Sequence, residues 1–79
     1  MTVSEAISKR IQQLLKDRDM TLYRLGITSG VLHGTLNGIV NCKNKAVNLA
    51  ILIKVAKGFG MEINEFLNDH IFKEENLKL

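Results

Sequence analysis

The sequence has no proline and a single cysteine. It also has no glycine- or serine-rich linker and no low-complexity stretch, so nothing in its 79 residues marks an internal domain boundary. Cys42 alone closes no intrachain disulfide and builds no cysteine-based metal site, which sets the expectation of a reducing, cytoplasmic protein. No apolar run reaches the length of a membrane helix. The N-terminus carries Glu5 ahead of its first basic residues and lacks the pattern of a signal peptide. There is no GxxxxGK[ST] loop, no Ser/His/Asp grouping and no nucleophile–base pair, so the expectation is not an enzyme. His33 and His70 are far apart, with no Glu or Cys at ligand spacing, so neither a metal nor a cofactor is expected. Acids are scarce in one part of the chain. Residues 1–60 hold nine basic side chains against Glu5, Asp17 and Asp19, a balance of +6, whereas residues 61–79 carry −3. A basic body with an acidic end suits a polyanion on one side.

What is present is helical periodicity. Thr2 and Glu5 form a capping box opening a first helix, with Ile7, Ile11, Leu14 and Leu15 on one apolar face. That helix should end near Asp19, a residue that tolerates the left-handed conformation. Thr21 is an N-cap for a second helix, roughly 22–28, and a third should run roughly 32–40. Residues 41–48 are polar and basic and read as a loop. Asn48 caps a fourth helix from Leu49 to Phe59, closed by Gly60. A fifth starts at Glu62, with Ile63, Phe66, Leu67, Ile71 and Phe72 on or near its buried side. No segment alternates convincingly as a strand.

Residues 21–41 carry the most information. Leu25 and Ile27 are apolar, Gly26 is small, and Gly30 stands where the chain must reverse. Val31, Leu36 and Ile39 then resume the apolar stripe. Two short helices joined by one tight turn in this way form a helix-turn-helix, whose second helix enters the DNA major groove.

Beyond that spacing, roughly residues 7–67 resemble the phage repressor and Cro type (xenobiotic response element type) helix-turn-helix family. The likeness rests on Met20-Thr21 before Leu25, Ser29-Gly30-Val31, Thr35-Leu36, Ile39 and Asn41. It continues through Lys54-Val55-Ala56-Lys57-Gly58-Phe59-Gly60-Met61 to Ile63-Asn64-Glu65-Phe66-Leu67, with no gap. The resemblance implies an all-α, lambda-repressor-like bundle of about five helices with the helix-turn-helix at helices 2 and 3. It also implies a bacterial or phage regulator of repressor type that binds operator DNA, often as a homodimer. The expected organisation is one domain over 1–79, with a core of about 4–68 and 69–79 as a helical extension or tail.

On the third helix Gly34, Gly38 and Asn41 share one face, with His33 and Asn37 beside them, while Leu36, Ile39 and Val40 point inward. The outward set His33, Gly34, Asn37, Gly38 and Asn41 is the candidate base-reading surface. Asn pairs with adenine, His with a base edge or phosphate, and glycine lets the backbone come close. By resemblance, positions 33, 34 and 37 are where family members contact bases. Gly34 and Gly38 stand where side chains usually read sequence, and Leu32 where the family has a small polar N-cap, leaving capping to Ser29 or to nothing. Cys42 takes the place of a turn glycine in the same pattern. The candidate phosphate contacts are Thr21, Tyr23, Arg24 and Thr35 and, after helix 3, Lys43, Asn44 and Lys45.

Helix 4 opens as Leu49-Ala50-Ile51-Leu52-Ile53, apolar nearly all round, and the tail adds Ile71, Phe72, Leu77 and Leu79. A two-fold homodimer is therefore expected through Ile51, Phe66, His70, Ile71 and Phe72, unless the tail folds back on its own core. A second function class also stands: a protein-interaction module, antitoxin-like or anti-repressor, that kept the fold with weak or no base readout. The glycines on the reading face favour it, and the basic body opposes it.

Overall fold

A computed structural model describes residues 1–43 and 47–79. The described residues form five α-helices: α1 (Val3–Asp17), α2 (Leu22–Ser29), α3 (His33–Val40), α4 (Leu49–Gly58) and α5 (Ile63–Leu67). Two 3-10 turns follow, His70–Phe72 and Glu74–Asn76. Among the described residues there is no strand, only an isolated bridge between Thr2 and Lys78.

The helix starts are set locally. The backbone N–H of Thr2 donates to the Glu5 carboxylate at 2.8 Å, and the Glu5 N–H donates to the Thr2 hydroxyl at 3.1 Å. Thr21 accepts from the Arg24 N–H, and Asn48 from the Ile51 N–H, as Ncap side chains do. Three helix ends share one closing pattern. After α1, α3 and α4 the chain turns through a positive φ at Asp19 (50°), Cys42 (57°) and Gly60 (73°). In each case the next N–H reaches back five residues: Met20 to the Leu15 carbonyl, Lys43 to Gly38, and Met61 to Ala56.

The core takes Ile7, Ile11 and Leu14 from α1, Leu25 from α2, and Leu36 and Ile39 from α3. Leu52, Val55 and Ala56 of α4, Phe66 of α5, Val31 between α2 and α3 and Phe59 at the end of α4 complete it. Each large side chain so buried contributes on the order of 1.5–3 kcal/mol. One glycine is demanded by this packing. A Cβ at Gly58 would lie 2.7 Å from the Ser29 Cβ and 2.9 Å from the Leu25 Cδ1, so α2 and α4 cross where α4 has no side chain.

Polar groups of α1 and its C-cap satisfy the open carbonyls of three other helices. The Ser8 hydroxyl donates to the Val40 carbonyl at the end of α3. The Arg18 Nε donates to the Phe59 carbonyl at the end of α4, at 3.1 Å. The buried Arg10 guanidinium donates to the Phe66 carbonyl at 2.8 Å and the Glu65 carbonyl at 3.1 Å, at the end of α5. It also pairs with Asp69 at 3.3 Å. The last carbonyls of a helix lack partners within it, so these contacts fix where the helices stop.

The fifth helix is accordingly shorter than its apolar pattern suggests. It ends at Leu67, and the Asp69 side chain accepts from the Ile71 N–H to begin a separate turn. The tail then returns to the start of α1, where the Lys78 N–H donates to the Met1 carbonyl at 2.7 Å.

Candidate nucleic-acid interface

The sequence-designated residues on α2 and α3 occupy one side of the fold. Thr21 caps α2, and Tyr23 and Arg24 are exposed in its first turn. On α3, His33, Gly34, Asn37 and Asn41 are exposed, Thr35 and Gly38 are half-buried, and Leu36 and Ile39 are buried. The inward pair holds the helix against the core, and the exposed set is what remains for a partner. Lys43 is exposed just beyond. Asn44 and Lys45 lie outside the described residues.

Local contacts arrange this surface. The rings of Tyr23 and His33 are 6.4 Å apart, linking the start of α2 to the first residue of α3. The Asn41 side-chain amide donates to the side-chain oxygen of Asn37 at 3.0 Å and to its carbonyl at 2.9 Å. Asn41 is therefore engaged with its neighbour one turn back rather than projecting alone. Asn37 keeps its own amide N–H groups and a second lone pair for a base edge. A Cβ at Gly34 would meet nothing within 4 Å. The absence of a side chain there is not a packing requirement.

The N-terminus of α3 has no side-chain cap. Leu32 occupies the Ncap, and the Ser29 hydroxyl accepts instead from the Val31 N–H at 3.1 Å. Leu32 is 77% exposed, and it faces an open cleft with Tyr23 and Ile27, themselves 68% and 57% exposed. This apolar group was not legible as a patch, because Ile27 read as an apolar position of the second helix and Leu32 as an Ncap position, and nothing in their spacing shows that Tyr23 joins them.

The basic surface is smaller than the charge count suggests. Arg10 is buried and paired with Asp69, whereas Arg18 stays exposed with its Nε donated to the Phe59 carbonyl. The expected dimer set also needs correction. Phe66 is fully buried and Ile71 nearly so, both within their own chain, and neither has surface for a second copy. Phe72 is half-buried, its ring 6.1 Å from that of Phe66. His70 is exposed beside Asp69, and Ile51 is half-buried against the core. The tail folds back, which is what removes Ile71 from the surface.

Among the described residues no group of His, Cys, Asp and Glu side chains is placed to hold a metal. No described helix is long and apolar enough to cross a membrane.

A helical bundle whose second and third helices make this turn, with the polar side of the second exposed, defines a helix-turn-helix DNA-binding domain. The profile of the Cro/C1-type HTH DNA-binding domain matches residues 10–70, and the chain belongs to that family. It is thereby a DNA-binding regulatory protein, with DNA as its supported partner. Comparison with curated proteins and with solved structures returned no match.

Proposed function

We propose that the protein is a sequence-specific transcriptional regulator that places α3 in the major groove of its operator. The observation that carries this is the division of α3: Leu36 and Ile39 buried, His33, Gly34, Asn37 and Asn41 exposed. His33 and Asn37 make most of the base contact. Gly34 and Gly38 let the backbone approach, and Asn41 assists. Thr21, Tyr23, Arg24, Thr35 and Lys43 hold phosphates, which supply position and most of the affinity. Asn44 and Lys45 belong to this set by their place in the sequence.

Two copies would read a pseudo-palindrome with half-sites about 34 Å apart. One apolar surface open to a second copy is the first turn of α4, where Leu49 is 59% exposed, with the half-buried Ile51 and Phe72, and the exposed polar His70 is the remaining member of the expected set. One experiment tests both parts: selection of bound fragments from a random duplex pool at physiological salt. The account expects enrichment of a two-fold symmetric motif. DNA retained without a motif would remove base reading.

A second reading, a protein-interaction module, is favoured by the exposed Tyr23, Ile27 and Leu32 and by the bare Gly34. It expects no duplex to be retained.

A further inference from the structure

Leu32 is in an unusual position for a leucine. It stands at the Ncap of α3, where a Ser, Thr, Asp or Asn would accept a backbone hydrogen bond, and it makes no such bond. Burial does not repay the missing cap, since Leu32 is among the most exposed large hydrophobic residues described. Nor does it stand alone, because Ile27 and Tyr23 wall the same cleft from α2. At about 250 Å³ that cleft falls below the usual size of a small-molecule site. In a helix-turn-helix, the N-terminal end of the second helix goes to the base edges. The major-groove edge offers one apolar group, the 5-methyl of thymine.

We propose that Leu32 is a specificity-determining residue that reads a thymine methyl, with Ile27 backing it from α2. The inference rests on the DNA-reading function proposed above and deepens it. It also answers what the first turn of α3 offers in place of polar readout, since Gly34 contributes no side chain there. An apolar contact of this kind needs no cap and no hydrogen-bonding group, and it leaves His33 and Asn37 to the polar edges.

The test uses the full chain and its selected duplex. Each thymine is replaced in turn by deoxyuridine, which deletes only the methyl. At one thymine per half-site the wild-type protein should lose about fourfold in affinity per site, the equivalent of one buried methyl at about 0.8 kcal/mol. Leu32→Ala should bind the thymine and deoxyuridine duplexes equally. Leu32→Ser restores a polar cap, so it should melt higher than wild type yet show the same loss of discrimination. Specific binding that is indifferent to deoxyuridine at every position overturns the proposal. So does a Leu32→Ala variant that keeps the fourfold preference. Failure to select any duplex overturns the DNA-reading function itself, and with it this inference, and leaves the cleft to a protein partner.

Discussion

The side-chain amide of Asn41 donates to the side-chain oxygen of Asn37, 3.0 Å away and one turn earlier on α3. The contact joins two exposed polar side chains at the end of the helix into a unit and restricts the rotamers Asn37 can adopt. An amide held in place before binding loses less entropy on meeting a base. Asn37→Ala should relax preference at one base position by about 1–3 kcal/mol. Asn41→Ala should weaken discrimination at that same position by less, because it removes the support and not the reader. Binding measured against all four bases at each position checks this. A change at a different position in Asn41→Ala would mean that Asn41 reads a base directly.

Arg10 is the side chain on which the end of α5 depends. Its guanidinium serves two carbonyls, Gln13 and Asp69 from a nearly buried position. Arg10→Ala leaves those carbonyls and Asp69 without their donor and should cost about 2–4 kcal/mol in urea unfolding. Asp69→Asn keeps an acceptor for the Ile71 N–H and should cost about 1 kcal/mol. If the two variants unfold alike, the ion pair and not the carbonyl capping is the main contribution.

The two glycines Gly58 and Gly34 should respond in opposite directions to the same change. An alanine Cβ at position 58 meets Ser29 at 2.7 Å, and overpacking of this kind costs about 1–3 kcal/mol. At position 34 the space is open, and alanine should stabilise the domain by up to about 1 kcal/mol through helix propensity. Thermal melts of the two single variants decide it.

The α1 capping box makes a pH prediction. The hydrogen bond from the Thr2 backbone N–H, and then that from its hydroxyl side, hold the Glu5 carboxyl below its ordinary 4.5. A lowered folded-state pKa means stability that is present above 4.5 and lost as pH falls through the depressed value. Glu5→Gln keeps an acceptor but has no proton to gain. The stability gap between wild type and Glu5→Gln should therefore shrink as pH falls below 4.5. A gap that is constant with pH would contradict the assignment.

Much of this fold is written locally. Thr2 with Glu5, Thr21, Asn48 and Gly60 are each placed where a helix must start or stop, and α1, α2 and α4 follow from them. The end of α5 is different. Its stop depends on Arg10, 56 residues away from Phe66, and no local pattern announces a partner at that separation. The fold-back of the tail is equally non-local, and it is why Phe66 and Ile71 are buried although they looked like spare apolar surface. Helical spacing shows that a residue is apolar, but not whether the chain will fold back to cover it. Cys42 was recognisable as standing in a turn glycine's place, and its φ of 57° shows that the turn keeps the glycine-like conformation. On α3 the outward face was legible from periodicity, whereas the Asn37–Asn41 contact and the Leu32 cleft depend on side-chain geometry and on the neighbouring α2.

The central claim is that the exposed side of α2 and α3 is the DNA-binding surface. It is tested most directly by following the backbone amides of the full chain by NMR as the selected duplex is titrated in at physiological salt. The account predicts shifts concentrated at residues 21–24 and 32–43, with α5 and the tail unmoved apart from any dimer contact. Shifts centred on α5 and residues 69–79, with α3 silent, would contradict it.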